Sequence, residues 1–153
     1  MKSIVKFYLT SSYFLVFIYI VFFATRRHHL LQRIVNLVPL KRTIADFKNI
    51  DYNQSRQVVS FYSNFLGNIF LYMPFAIAVI WLLHATETKR ILYYAFFTSL
   101  FTELIQFTLK IGVADVDDIL LNVLGAYLGT LVYKVYSKHF SVTLHHTKSN
   151  ATA

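Results

Sequence analysis

The sequence predicts an all-α polytopic membrane protein, a four-transmembrane-helix bundle. Three observations predict it. The composition is 56% hydrophobic and 18% aromatic against 14% charged, and a soluble domain of 153 residues has too little interior to hide 15 Phe and 11 Tyr. Four apolar stretches have the length that crosses a bilayer, about 17–25 residues. Lys and Arg lie mostly at the ends of those stretches, where positive charge directs topology and meets anionic lipid.

The first stretch, residues 7–24 (FYLTSSYFLVFIYIVFFA), has Lys2 and Lys6 before it and Arg26 and Arg27 after it. No small-x-small cleavage site follows, so it reads as an uncleaved signal anchor. The second, 61–83, carries no charge over 23 residues. The third, 91–109, carries one charge, Glu103. The fourth, 119–136, is the least apolar in pattern, with Lys134 near enough to its end to snorkel to the interface. Residues 1–136 form one domain, followed by a polar tail, 137–153, expected to fray.

The loop before the second span mixes Leu30, Leu31, Ile34 and Val35 with basic residues. An interfacial helix over 26–38 is expected there, ended by Pro39, which pushes its predecessor out of helical conformation. The chain has no cysteine, which excludes disulfides, thiolate metal sites and cysteine nucleophiles. The net charge of +8 is accounted for by membrane flanks and indicates no nucleic-acid partner. His28-His29 and His145-His146 each lack a third ligand at a useful spacing, so no metal site is assigned. With four spans, loops 25–60 and 110–117 share one side. Seven Lys and Arg in the long loop face seven on the opposite side, or eight with Lys110 added, so charge leaves the orientation open.

Polar residues within the spans follow the helical period. Ser99, Glu103, Gln106 and Lys110 fall on one stripe of the third span. Asp118, Asn122, Gly125 and Gly129 repeat that spacing on the fourth. Ser60, Asn64, Gly67 and Asn68 line one face where the second begins. All three stripes lie toward the side of the two loops. Glu103 sits roughly 9 Å from the end of its span; a charge in mid-membrane costs about 2.5–3.5 kcal/mol on insertion scales and usually faces a bundle interior or a water-filled cavity. The amides also serve as interhelical hydrogen-bond partners, and Gly125 and Gly129 as a close-packing face.

The chain has seven acidic residues, and Asp115, Asp117 and Asp118 are three of them. They stand where the fourth helix begins, and a helix N-terminus favours a capping carboxylate and acidic first-turn residues. One cap needs one aspartate. Asp115 is assigned mainly to the cap and Asp118 mainly to a site; Asp117 is open between the two.

These residues resemble the VanZ-like family of small bacterial integral membrane proteins, named for a protein of teicoplanin-resistance clusters. Four stretches carry the resemblance: Asn36-Leu37-Val38-Pro39-Leu40-Lys41; Asn64-x-x-Gly67-Asn68 with Phe70-x-x-x-Pro74; Ser99-x-x-x-Glu103-x-x-Gln106; and Asp115-Val116-Asp117-Asp118 with Asn122-x-x-Gly125. Ala76 stands where the family usually has glycine. Gly112 stands where it commonly has arginine, so an anion-binding role would fall to Lys110 or the basic loop. The resemblance implies a multi-pass protein of the bacterial cytoplasmic membrane with a cell-envelope role, and implies no reaction.

The binding candidates are thus Asn36, Lys41, Asn64, Asn68, Ser99, Glu103, Gln106, Asp115, Asp117, Asp118 and Asn122, with Glu103 and Asp118 as the catalytic candidates. Four functions compete. One is a protein that binds or modifies a lipid-linked, peptidoglycan-related or anionic envelope molecule. Another is an enzyme with Glu103, Asp117 and Asp118 around a divalent cation, or with Glu103 as general base. The others are a carrier, for which a homo-oligomer would supply the missing repeat, and a structural or accessory subunit. The family context places the site on the extracytoplasmic side, although the basic loop resists translocation.

Overall fold

The computed structural model describes residues 2–23 and 34–150, with side chains at 3–23 and 34–138. The described chain is almost entirely helical. α1 (Lys2–Ile18) runs into a π-helical turn (Tyr19–Phe23), and after β1 (Val35–Asn36) come a short α2 (Lys41–Lys48), α3 (Ser55–Leu83) and α4 (Thr88–Leu109). β2 (Ala114–Asp115) leads directly into α5 (Val116–Asn150).

Among the described residues three helices are long and apolar enough to cross a membrane: Ser3–Phe23, Ser55–Leu83 and Val116–Lys138, with mean hydropathies of 1.8, 2.0 and 1.4. α4 is not among them, which reverses the expected ranking of the third and fourth spans. The reason lies in what α4 buries. Ser99, Thr102, Glu103 and Gln106 are all buried, and these polar residues lower the mean hydropathy of a helix whose outer face still shows Phe97, Phe101 and Leu104.

α5 packs along α3 and α4, and α1 lies against α3. The α3–α5 contact is close because two glycines leave no side chain between the backbones. A Cβ on Gly125 would stand 2.3 Å from the Ile69 carbonyl oxygen, and one on Gly129 2.1 Å from that of Met73. The glycines are therefore a packing face, the small-xxx-small arrangement of membrane helices. Pro74, inside α3, has no N–H for the Phe70 carbonyl and opens that turn. At the same turn the Tyr13 hydroxyl of α1 donates to the Leu71 carbonyl at 2.9 Å.

Away from the loops the core is apolar, built on Phe17, Tyr72, Phe75, Val79, Ile91 and Ala95. At the far end Lys6 lies 5.5 Å from the centre of the Trp81 ring, and Lys134 donates to Thr88 at 2.6 Å. Large apolar residues such as Phe7, Leu15, Phe70 and Val135 are exposed on the outside, as lipid-facing helices require.

The connections depart from expectation. Of the interfacial helix expected over 26–38, residues 26–33, including His28 and His29, lie outside the described residues; Val35–Asn36 is extended, pairing in parallel with Ala114–Asp115. The surface helix comes after Pro39 instead, as α2. It has no buried residue and exposes Ile44 and Phe47. The tail expected to fray continues the helical backbone of α5 to Asn150; the side chains of His145 and His146 lie outside the described set.

Candidate binding site

At the loop end of the bundle the helices part around a cavity of about 610 Å³. Its floor and walls come from the π turn of α1, from α2, from the first half of α3, from the last turns of α4 and from the start of α5.

The β1–β2 pairing fixes the site's geometry, since it brings Asn36 beside Asp115. Asn36 Nδ2 donates to Asp115 Oδ1 at 2.7 Å, and the same oxygen accepts the Asp117 N–H at 3.0 Å. Asp115 is thus the N-cap of α5. Its role is wider than a cap. Oδ2 accepts from Arg42 at 3.1 Å, and the Asp115 N–H donates to Glu103 Oε2 at 3.1 Å. The carboxylate joins β1, α2 and α5, and the backbone N–H of the same residue adds α4.

Asp117, open in the sequence, caps a helix other than its own. α2 begins at Leu40, in left-handed conformation (φ 60°) and without a capping side chain of its own. The Asp117 carboxylate accepts the Leu40 N–H, the Thr43 N–H at 3.0 Å and the Thr43 hydroxyl at 2.8 Å. An anion at a helix N-terminus gains from both the free N–H groups and the macrodipole. Asp117 therefore holds α2 over the cavity.

Asp118 Oδ1 accepts from Asn68 Nδ2 at 2.7 Å, tying α5 to α3. Asn122 Nδ2 donates to Ser99 Oγ at 2.8 Å, tying α5 to α4. Gln106 Nε2 donates to the Val21 carbonyl at 2.9 Å, anchoring the π turn of α1. α4 ends in a Schellman closure, with Ile111 N–H on the Gln106 carbonyl at 3.0 Å and Lys110 left-handed.

Of the residues singled out in the sequence, Asn64, Asn68, Glu103, Gln106 and Asn122 line the cavity, as do Asp115, Asp117 and Asp118. Three do not. Ser99 stands behind Asn122, Asn36 behind Asp115, and Lys41 points away as the exposed first residue of α2. The basic residue at the cavity is Arg42, one position on, with Thr43 and Asp46 beside it. Arg42 supplies a guanidinium to the cavity that Gly112 also lines. Thr102 and Tyr72 complete the wall. Thr102 was within reach of the period, three residues after Ser99; Arg42 had no periodic signal.

Among the described residues no three His, Cys, Asp or Glu side chains group as a metal centre. Glu103, Asp117 and Asp118 do not form the trio considered from sequence, because Asp117 faces the α2 backbone.

The comparisons with known proteins agree with the motif pattern. Over residues 7–137 the sequence matches the family model described as VanZ/LLP1. The chain belongs to the VanZ/LLP1 family. No curated protein and no solved structure matches it at a significant level. Family membership and three membrane-length apolar helices together make this VanZ/LLP1 chain a membrane protein. All four motif stretches lie within the matched residues, and each contributes at least one side chain to the cavity or to the hydrogen bonds that shape it.

Proposed function

We propose that this protein is a four-span protein of the bacterial cytoplasmic membrane that binds the polar head of a lipid-linked or peptidoglycan-related envelope molecule, and so alters susceptibility to glycopeptides such as teicoplanin. The observation behind the reading is a cavity lined by both polar and apolar side chains. Acidic and amide side chains line it together with Phe61, Phe65 and Leu71 of α3. Its volume falls among small-molecule pockets, about 300–1,000 Å³. An amphiphile entering from the bilayer would hydrogen-bond its head to the polar side chains and leave its chain against the apolar ones.

Counting α4 as the fourth crossing rests on two features. Its 22 residues span roughly 33 Å, enough for a hydrocarbon core of about 30 Å. Its polar stripe is buried against α3 and α5, leaving an apolar outer face. The cavity then lies at one membrane surface, which we assign to the extracytoplasmic side, where glycopeptide targets are displayed. Phosphatase and fluorescent-protein fusions after Ser137 test this; a tail found outside the cytoplasm inverts the assignment.

The central test replaces Gly67, which lines the cavity and where a Cβ would meet nothing within 4 Å. Gly67→Leu puts a branched side chain into the cavity from a position whose Cβ has open space around it. Native mass spectrometry of the full chain extracted from its own membranes should show a co-purifying amphiphile on the wild type and none on Gly67→Leu. Deletion of the gene and complementation with either form should show teicoplanin susceptibility following the bound species. Identical lipid profiles for the two proteins would remove the binding reading in favour of a structural or accessory role. A gene-dependent change in the covalent structure of envelope lipids would replace it with an enzymatic one.

A further inference from the structure

The cavity's charge does not suit every envelope headgroup. Five lining residues are acidic: Asp46, Glu103, Asp115, Asp117 and Asp118. Among the described residues the cation on the same wall is Arg42, held between Asp115 at 3.1 Å and Asp46 at 3.7 Å. Its charge is thus already matched by carboxylates. A phosphate or pyrophosphate entering this space would bring only acceptors and negative charge to carboxylates that are themselves acceptors when ionised.

The remaining polar wall carries Asn64, Asn68, Gln106 and Asn122, amides that both donate and accept. Asn122 supplies an independent sign of an absent partner. It is 5% exposed, its amide nitrogen is bonded to Ser99, and its Oδ1 has no hydrogen-bond partner. A buried amide oxygen without a donor costs about 1–3 kcal/mol, and the Tyr72 hydroxyl on the same cavity also has no partner among the described residues, so the wall has both an acceptor and a hydroxyl left for a ligand. Ligand donors are what the carboxylates would accept as well. The rings of Phe61 and Phe65, stacked at 5.9 Å and 12°, add an apolar surface to the same cavity.

We infer that the cavity receives a neutral, hydroxyl-rich headgroup, the sugar portion of a glycosylated amphiphile, with its hydroxyls donating to the carboxylate and amide oxygens, and that it rejects phosphate. The inference rests on the binding function proposed above and specifies its ligand class. A sugar satisfies both halves of the wall. It brings donors to Asp118, Glu103 and the Asn122 oxygen, and its hydroxyls also accept from the amide N–H groups. An ammonium head offers donors alone and leaves the amide N–H groups of the same wall without an acceptor.

The test uses the full chain purified in octaethylene glycol monododecyl ether, a detergent with neither sugar nor charge. Three amphiphiles of one chain length are titrated by isothermal calorimetry or native mass spectrometry: dodecyl maltoside, dodecyl phosphate and dodecylammonium. The maltoside should bind at least tenfold more tightly than the phosphate or the ammonium probe, with little dependence on salt. Gly67→Leu should remove at least nine-tenths of the maltoside binding while keeping its thermal midpoint. Phosphate binding as tight as maltoside, sensitive to Gly67→Leu, would overturn the sugar assignment and leave an amphiphile site standing. Preference for the ammonium probe would overturn it in favour of a cation site. If Gly67→Leu altered the binding of none of the three, the sugar assignment and the binding function would fall together.

Discussion

The two ends of this bundle are made from the same helices and obey opposite packing rules. Away from the loops, α3, α4 and α5 meet through Ala76, Val79, Ile91, Ala95 and Ala126, all of them buried. At the loop end they separate around polar side chains, and hydrogen bonds between helices take over: Asn68 to Asp118, Asn122 to Ser99, Asp115 N–H to Glu103. The difference teaches where membrane proximity matters. Within lipid there is little hydrophobic drive to bring helices together, and close van der Waals contact or interhelical hydrogen bonds must do so. The closed end uses the first means; the cavity end uses the second and leaves space.

The most severe way to break the contrast is to force the closed contact open. Gly129→Ala would place a Cβ about where the Met73 backbone stands, 2.1 Å from its oxygen, and Gly125→Ala would do the same at Ile69. Neither obstacle is the end of a flexible side chain, so α5 must move from α3. Each substitution should destabilise by about 3 kcal/mol, the upper end of overpacking, and the pair should fail to accumulate. Thermal aggregation in detergent, read by fluorescence-detected size exclusion, measures it; an unchanged midpoint for Gly129→Ala would show that the α3–α5 approach is looser than 2.1 Å implies.

Much of this contrast was legible in the sequence, and the reason is periodicity. Gly125 and Gly129 repeat at four residues, and Glu103, Gln106, Asp118 and Asn122 share stripes, so helical geometry alone orients them. α2 was not legible. Its position depends on Asp117, 74 positions beyond Thr43, and no local pattern in residues 34–48 announces a partner that distant. For the same reason the sequence points to Lys41 where Arg42 lines the cavity, and only the approach of the α2 backbone decides the role of Asp117.

Removing that distant cap is the next largest effect. Asp117→Ala leaves the Leu40 N–H, the Thr43 N–H and the Thr43 hydroxyl without their acceptor. Loss of an N-cap costs about 0.5–2 kcal/mol, and here it falls on a helix with no buried residue. α2 should detach while the bundle persists. Hydrogen exchange across residues 41–48 should rise by tenfold or more with α3 and α5 unchanged. Protection that stays at wild-type level would mean that the Phe47–Phe61 contact, 5.9 Å between rings, holds α2 without the carboxylate.

A smaller effect is expected at Asp115. From sequence, Asp115→Asn preserves an N-cap and should be nearly silent. The structure corrects this, because asparagine keeps the bond to the Asp117 N–H but loses the charge facing Arg42. Arg42 is half-exposed, and solvent screening reduces the value of the pair. The substitution should cost about 1 kcal/mol, and Arg42→Gln in the same background should add little. A double-mutant cycle measures the coupling; additive losses would show that the guanidinium and Asp115 act independently.

The smallest effect on stability sharpens the comparison most, because it uses the residue type of the first prediction on the cavity side of α3. Gly67 sits in α3 with normal helical φ and no atom within 4 Å of an added Cβ. Gly67→Ala removes backbone freedom from the unfolded chain and meets nothing in the folded one, so it should stabilise by about 0.4–1 kcal/mol. The same one-methyl change is therefore expected to raise the thermal midpoint at position 67 and lower it at 125 and 129. If Gly67→Ala instead destabilised the protein, the space beside it would have to be filled by packed chain, and the cavity on which the binding function stands would not exist.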